Sequence, residues 1–304
     1  MTGMLYLVPT PIGNLSDISV RCRKTLEQAD FIAAEDTRVT LKLLNYLEIK
    51  KPLVSYYEHN KLESGPKIVR RILDGETCVL VSDAGSPAIS DPGEDLVRLC
   101  AEADIPVCAI PGPCAVITAL SISGLPTGRF CFEGFLSINK KSRQEHLAGL
   151  QQERRTMIFY EAPHKLLATL KDLVNAFGAD RRVSLCRELT KLHEEVVRTT
   201  LGEAVARYTE NAPRGEFVVV VEGAQQAPVE AITLDAGAAL VRAEMEKGLS
   251  KKDAVKLVAK QTGLPRNALY EAALQTDKVY PTLEFLNSIE NTLKQPFYAK
   301  EAEQ

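Results

Sequence analysis

No apolar run in the 304 residues approaches the length of a bilayer crossing, and the amino terminus has no basic stretch leading into an apolar core. Neither a membrane anchor nor a secretory signal is expected. The seven cysteines contain no C-x-x-C pair and are an odd number. Several sit inside apolar runs, where a thiol behaves as a small hydrophobe, so reduced cysteines in a cytoplasmic protein are expected. The four histidines show no metal-ligand spacing, and no metal is expected. An excess of positive charge is missing too. A formal net charge of −3 removes any whole-molecule attraction to nucleic acid and leaves RNA contact to local patches. The first loop, Pro9-Thr10-Pro11-Ile12-Gly13-Asn14, has a single glycine where the dinucleotide fingerprint needs three, which argues against a nicotinamide or flavin site there.

What is present is a repeated break at the ends of apolar runs. Cys78 to Val81 reads as a strand buried on both faces and ends in Ser82-Asp83-Ala84-Gly85-Ser86-Pro87. Met4–Val8, Phe31–Ala34, Leu53–Tyr56 and Val107–Ile110 end in the same manner, in small, polar or bent loops. Helical spacing separates them, which makes β-α-β units and a mostly parallel sheet. Right-handed crossovers gather all five loops at the carboxyl edge of one sheet, where open α/β folds bind ligands.

Gly124 to Gly128 reads as a linker, and a second α/β block follows, with strands expected near 130–135, 156–160, 182–186, 194–199 and 216–221 in a mixed sheet. Ala224 to Pro228 reads as a second linker. Beyond it the chain turns helical: Ser250 caps a helix, Gly263-Leu264-Pro265 breaks it, and Arg266 to Leu274 forms another, a helix-turn-helix outline. The expected organisation is 1–124, 125–226 and 227–304: two α/β lobes and a small all-helical domain.

Each polar cluster has an ordinary reading beside a functional one. In Glu35-Asp36-Thr37-Arg38 the ordinary reading is a helix cap, and the place beside a shared cleft raises the other. His59, in Tyr57-Glu58-His59-Asn60, reads locally as a solvated side chain, and Arg187 to Lys191 as a salt-bridged turn. Lys140, Lys141 and Arg143 make a basic loop; Lys252, Lys256 and Lys260 share one helix face at i, i+4, i+8, near Arg266. With the helix-turn-helix outline, phosphate contact is the better reading of the tail.

The loops together carry a resemblance. V-P-T-P-I-G-N-L (8–15), A-A-E-D-T-R (33–38), V-S-D-A-G-S-P (81–87), P-G-P-C-A (111–115), F-Y-E-A-P-H (159–164), R-E-L-T-K (187–191) and G-E-F-V-V-V-V-E-G (215–223) are similar to the bacterial small-subunit ribosomal RNA 2′-O-ribose methyltransferases. The helical tail also resembles theirs, with Arg266 where a lysine is familiar. That resemblance implies a two-lobed tetrapyrrole-methylase-like fold and an S-adenosylmethionine-dependent enzyme. The implied substrate is a cytidine ribose in the decoding region of 16S ribosomal RNA within the small subunit, and a homodimer is implied as well. By motif position, Pro11, Asp83, Gly85, Ser86, Ile89, Cys114 and Ala115 would hold the cofactor from the first lobe, and Tyr160, Glu188, Gly215, Glu216 and Phe217 from the second. Glu35 and Asp36 are the expected acceptors of the hydroxyl proton, with His59 behind them, and Lys191 is expected to offset a developing alkoxide. Arg38, Lys140, Lys141, Arg143, Lys252, Lys256 and Arg266 are the expected RNA contacts. Two readings compete: a same-fold methylase acting on a tetrapyrrole or a protein, and a non-catalytic RNA-binding assembly factor.

Overall fold

The computed structural model describes residues 2–225 and 232–275. They form two compact units, one ending at Ala224 and one beginning at Gln225. Of the second linker, residues 226–228 lie outside the described residues, as does the tail from 276 onward.

Five short strands open the first unit: β1 (Leu5–Leu7), β2 (Phe31–Ala34), β3 (Leu53–Ser55), β4 (Cys78–Val81) and β5 (Val107–Ala109). They pair in the order β3-β2-β4-β1-β5, every pair parallel. Between them run α1 (Val20–Gln28), α2 (Thr37–Tyr46), α3 (Lys61–Leu73) and α4 (Gly93–Glu102). Strands β2 and β4 are buried at every position, as central strands covered on both faces must be. On one face Ile32 and Val79 pack with Leu26 and Leu44 of α1 and α2; on the other Phe31 and Leu80 pack with Ile68 and Leu96 of α3 and α4. The strand ends therefore form one carboxyl edge, as the β-α-β spacing predicts.

α5 (Ala115–Ile122) joins the lobes. It is apolar nearly all round, and its Val116, Ala119 and Leu120 are buried against Ile158, Cys186 and Val220 of the second sheet. A valine or leucine side chain contributes roughly 1.5–3 kcal/mol when fully buried.

The second sheet contains β6 (Phe130–Phe135), β7 (Thr156–Glu161), β8 (Arg182–Arg187), β9 (Glu195–Thr200) and β10 (Phe217–Val221), with α6 (Lys140–Gly149), α7 (Pro163–Phe177) and α8 (Leu201–Glu210) around them. Its order is β6-β7-β10-β8-β9; only β6 and β7 are parallel, so the sheet is mixed. β10 runs antiparallel between β7 and β8, and its first residue, Phe217, pairs with Glu161 and Arg187 at their last. That reversal brings the start of one strand to the same edge as the ends of two others.

In the second unit, α9 (Leu234–Glu246), α10 (Lys251–Thr262) and α11 (Arg266–Gln275) close over Val241, Ala254, Val255, Val258 and Leu269. Ser250 caps α10 by accepting from the Asp253 N–H, and Gly263 ends it at φ +73°, the left-handed turn glycine takes without strain.

Candidate active site

Four of the five carboxyl-edge loops of the first sheet are tied together. Thr10 and Gly85 exchange backbone hydrogen bonds at 3.0 and 2.9 Å, and the Thr10 hydroxyl donates to the Ser82 carbonyl. The Asp36 N–H donates to Asp83 Oδ1 at 3.0 Å. Ser86 Oγ donates to the Pro113 carbonyl at 3.0 Å. The first and fifth loops touch so closely that a Cβ on Gly112 would meet Pro9 Cβ at 2.9 Å. The loop after β3 stays apart: β3 lies beyond β2, at the edge of the sheet opposite β5.

The second lobe faces these loops with the ends of β6, β7 and β8 and the start of β10. Between the two lies a cavity of about 520 Å³, lined from one side by Ile12, Glu35, Asp83, Ser86 and Cys114 and from the other by Phe135, Tyr160, Glu161, Lys191 and Phe217. Its size suits a small-molecule or cofactor site. The turn Arg187–Lys191 is held tightly. Glu188 and Thr190 have φ +51° and +66°, a left-handed backbone that side chains disfavour. Lys191 Nζ reaches Glu188 Oε1 at 2.9 Å and Glu216 Oε2 at 2.8 Å, and Glu188 Oε1 also accepts from the Glu216 N–H at 2.9 Å.

These bonds fix protonation states. The Glu216 N–H and the Lys191 ammonium hold the Glu188 carboxyl below its ordinary range. Burial works against the Lys191 ammonium, yet its bonds to Glu216 and Glu188 raise it above the ordinary lysine value, so it is a fixed cation and no base. Burial pushes the Tyr160 phenol up to about 12. Glu35 moves the opposite way from Glu188: burial, then the neighbouring charges of Asp83 and Asp91, raise its carboxyl. Asp91 itself is occupied, accepting from the Ala88 and Gly93 N–H groups at 3.0 and 2.8 Å. Glu161, buried, accepts from the Ala162 N–H and the Thr169 hydroxyl. A cavity with several carboxylates and one cation favours a positively charged guest.

The comparisons with known proteins agree with that geometry. The family model for tetrapyrrole (corrin/porphyrin) methylases matches residues 4–205, and the RsmI C-terminal HTH domain model matches 230–277. Ribosomal RNA small subunit methyltransferase I of Synechocystis is 48% identical over 275 residues, 90% of this chain and 99% of that one. The Escherichia coli O157:H7 protein of the same name is 46% identical, covering 90% and 95%. The chain belongs to the ribosomal RNA small subunit methyltransferase I family.

Solved structures of low sequence identity share the first unit's fold. A uroporphyrin-III C-methyltransferase from Thermus thermophilus, solved with S-adenosyl homocysteine, aligns with a TM-score of 0.51 at 18% identity over 72% of this chain and 97% of its own. Diphthine synthase aligns at 0.56 and 14% identity, over 74% and 92%. Both confirm the two-lobed architecture expected of a small-subunit rRNA methyltransferase I.

Within this family member, the structure gathers Glu35, Asp83, Gly85, Ser86, Ile89, Cys114, Ala115, Tyr160, Lys191, Glu216 and Phe217 around the cavity. Pro11, Glu188 and Gly215 are not in that lining: Ile12 takes the wall position in place of Pro11, Glu188 orients Lys191, and a Cβ on Gly215 would meet Glu188 Cγ at 2.5 Å. Asp36 plays the capping role, accepting from the Arg38 N–H at 2.8 Å and pairing with its guanidinium at 2.6 Å, which holds its pKa at about 2. His59 is exposed, edge-on to Tyr57, on the separate loop after β3. Arg143 turns inward, bonding Asp172 at 2.6 Å and the Thr169 hydroxyl at 2.8 Å with 11% of its side chain exposed. Lys140, Lys141, Lys252, Lys256 and Arg266 are exposed. Sequence reading missed Phe135, Glu161 and Asp91 as site residues. E-A-P-H contained Glu161, but a motif does not reveal which of its residues is turned into the cavity.

Proposed function

We propose that this protein transfers a methyl group from S-adenosylmethionine to the ribose 2′-hydroxyl of a cytidine in 16S ribosomal RNA of the small subunit. One observation carries the reading: a single cavity between the lobes collects a carboxylate of raised pKa, a fixed ammonium and an acidic lining. The residues fit such a donor. Ser86, Ile89, Cys114 and Ala115 form one wall, Tyr160 and Phe217 the other, and the acidic surroundings suit a sulfonium cation. When bound, that cofactor supplies an electrophilic methyl.

The chain's own residues do the rest. Glu35, with its raised affinity for a proton, accepts the hydroxyl proton as oxygen becomes the nucleophile. Lys191, held charged by two carboxylates, offsets the negative charge developing on that oxygen. Walls from both lobes reduce the water around the reacting atoms, which favours a step in which opposite charges cancel. Lys140 and Lys141 at the start of α6, and Lys252, Lys256 and Arg266 in the helical unit, suit RNA phosphates. The protein works in the cytoplasm as a homodimer; the open edge of β5, where Val107 and Ala109 are exposed, suits self-association.

The experiment is incubation of labelled S-adenosylmethionine with small subunits lacking the modification and, in a parallel arm, with a tetrapyrrole, followed by alkaline hydrolysis of the RNA. A 2′-O-methyl removes the nucleophile for strand cleavage, so one linkage is expected to become resistant. Label entering a tetrapyrrole instead, or no resistant linkage, would refute the assignment.

A further inference from the structure

Strand β6 contains an irregularity with a chemical consequence. Phe132 pairs with Ile158, but the next pair is Gly134 with Phe159 and then Phe135 with Tyr160, so Glu133 is an extra residue with no partner in the ladder. Gly134 sits at φ +64°, the left-handed region that glycine enters without strain. In a regular strand, residues three apart point to opposite faces. The bulge adds one step and returns Phe135 to the face of Phe132. Both rings then flank Tyr160, with centroids at 4.9 Å for Phe132 and 5.5 Å for Phe135. Glu133 itself is pinned to α6 by His146 at 2.9 Å, which holds the irregularity in place.

The three rings are unequally covered. Phe132 and Tyr160 are partly buried against the core that joins the lobes, whereas Phe135 is 60% exposed and lines the cavity. An exposed phenylalanine costs solvation, and here the backbone departs from regularity to present it. A few residues further along, Lys140 and Lys141 stand exposed at the start of α6. An aromatic face followed by exposed cations is the combination that binds unpaired nucleic acid: bases stack, and phosphates meet charge.

We infer that Phe135, backed by Tyr160, is the platform on which the base of the target nucleotide stacks while its ribose enters the cavity. This rests on the function proposed above and specifies how the substrate is held. A ribose inside a paired, stacked helix cannot bring its 2′-hydroxyl down between the two lobes to Glu35. The nucleotide must leave its stack, and an aromatic ring offers a replacement for the lost stacking. The base and the 2′-hydroxyl belong to one nucleotide, and Phe135 and Glu35 line one cavity. Stacking is tolerant of base identity, so Phe135 supplies retention rather than selection of cytosine.

The test compares Phe135→Ala, Phe135→Leu and Phe135→Tyr in the full chain, with small subunits lacking the modification as substrate. Calorimetric titration of S-adenosylmethionine runs alongside. Loss of one base stack predicts a fall in kcat/KM of about ten- to a hundred-fold for Ala and for Leu, mainly through KM. Tyr is expected to recover most of it, and cofactor affinity to stay within about two-fold throughout. Ile138→Ala, at a neighbouring surface position that is 84% exposed and outside the cavity lining, is expected to match wild type. Three results would overturn the platform: Leu recovering as well as Tyr, kcat/KM unchanged in Ala, or cofactor affinity dropping in step with turnover, which would give the ring to the adenine of the cofactor. Wild-type turnover with any of these leaves the proposed function standing. A wild type that methylates no ribose removes both.

Discussion

Glu35 and Lys191 face the same cavity with opposite electrostatic histories. Lys191 is held charged by two carboxylates, whereas Glu35 sits among acids that make its own charge costly. Burial raises the Glu35 carboxyl above 4.5, so the folded chain binds that proton more tightly than the unfolded chain. Stability therefore falls as pH rises from the unfolded value through the raised folded one, and at neutral pH the ionised form is a standing cost. Glu35→Gln is expected to be the more stable protein at pH 7, by less than about 1 kcal/mol because solvent screens a half-exposed group. The gain should vanish below about pH 4, where both states are protonated. The same substitution should lower kcat by about 100-fold or more and flatten the rise of kcat with pH, with cofactor affinity kept. Thermal unfolding and pH–rate profiles check the two halves. A destabilised variant that keeps its activity would show that Glu35 is only part of the wall.

At the scale of elements, the sequence was most legible where local physics dominates. Phe31–Ala34 and Cys78–Val81 are strands at the residues where their continuous apolar runs lie, because central strands carry that pattern without alternation. Strand order was not legible. His59 follows a strand just as Glu35 does, yet β3 lies beyond β2 at the edge opposite β5, and its loop contributes nothing to the cavity lining. The bulge in F-C-F-E-G-F was likewise hidden, since only the partner strand shows which residue is extra. Close approach between lobes is another property invisible in one segment. Gly13 faces the turn after β8: a Cβ there would overlap Lys191 Cγ, come within 2.8 Å of Thr190 Oγ1 and within 3.1 Å of the Leu189 carbonyl. Backbone and a strained turn cannot yield cheaply. Gly13→Ala is expected to cost about 1–3 kcal/mol in denaturant unfolding and to weaken S-adenosylmethionine binding, as the two loops are pushed apart. Unchanged stability and affinity would mean that the turn is softer than its left-handed residues imply.

For the whole molecule, the division of labour follows from where charge and core are placed. The formal charge is −3 overall, so attraction to RNA depends on patches. α10 buries Ala254, Val255 and Val258 on one side and exposes Lys252, Lys256 and Lys260 on the other, a periodicity fully readable in the sequence. The helical unit has its own core of Val241, Val255, Val258 and Leu269, and the first unit keeps every residue of the cavity. A chain ending at residue 225 is therefore expected to unfold cooperatively and bind S-adenosylmethionine with unchanged affinity, while kcat/KM on small subunits falls by at least about ten-fold. Replacing Lys252 and Lys256 by Gln in the full chain should have a smaller effect of the same kind. Every phosphate that a lysine ceases to neutralise takes nearly one unit from the slope of log affinity against log salt, so the double variant should show a slope shallower by up to about two. Measured across a salt series, an unchanged slope would mean that those lysines are a solvated face, and the helical unit would then owe its role to shape rather than charge.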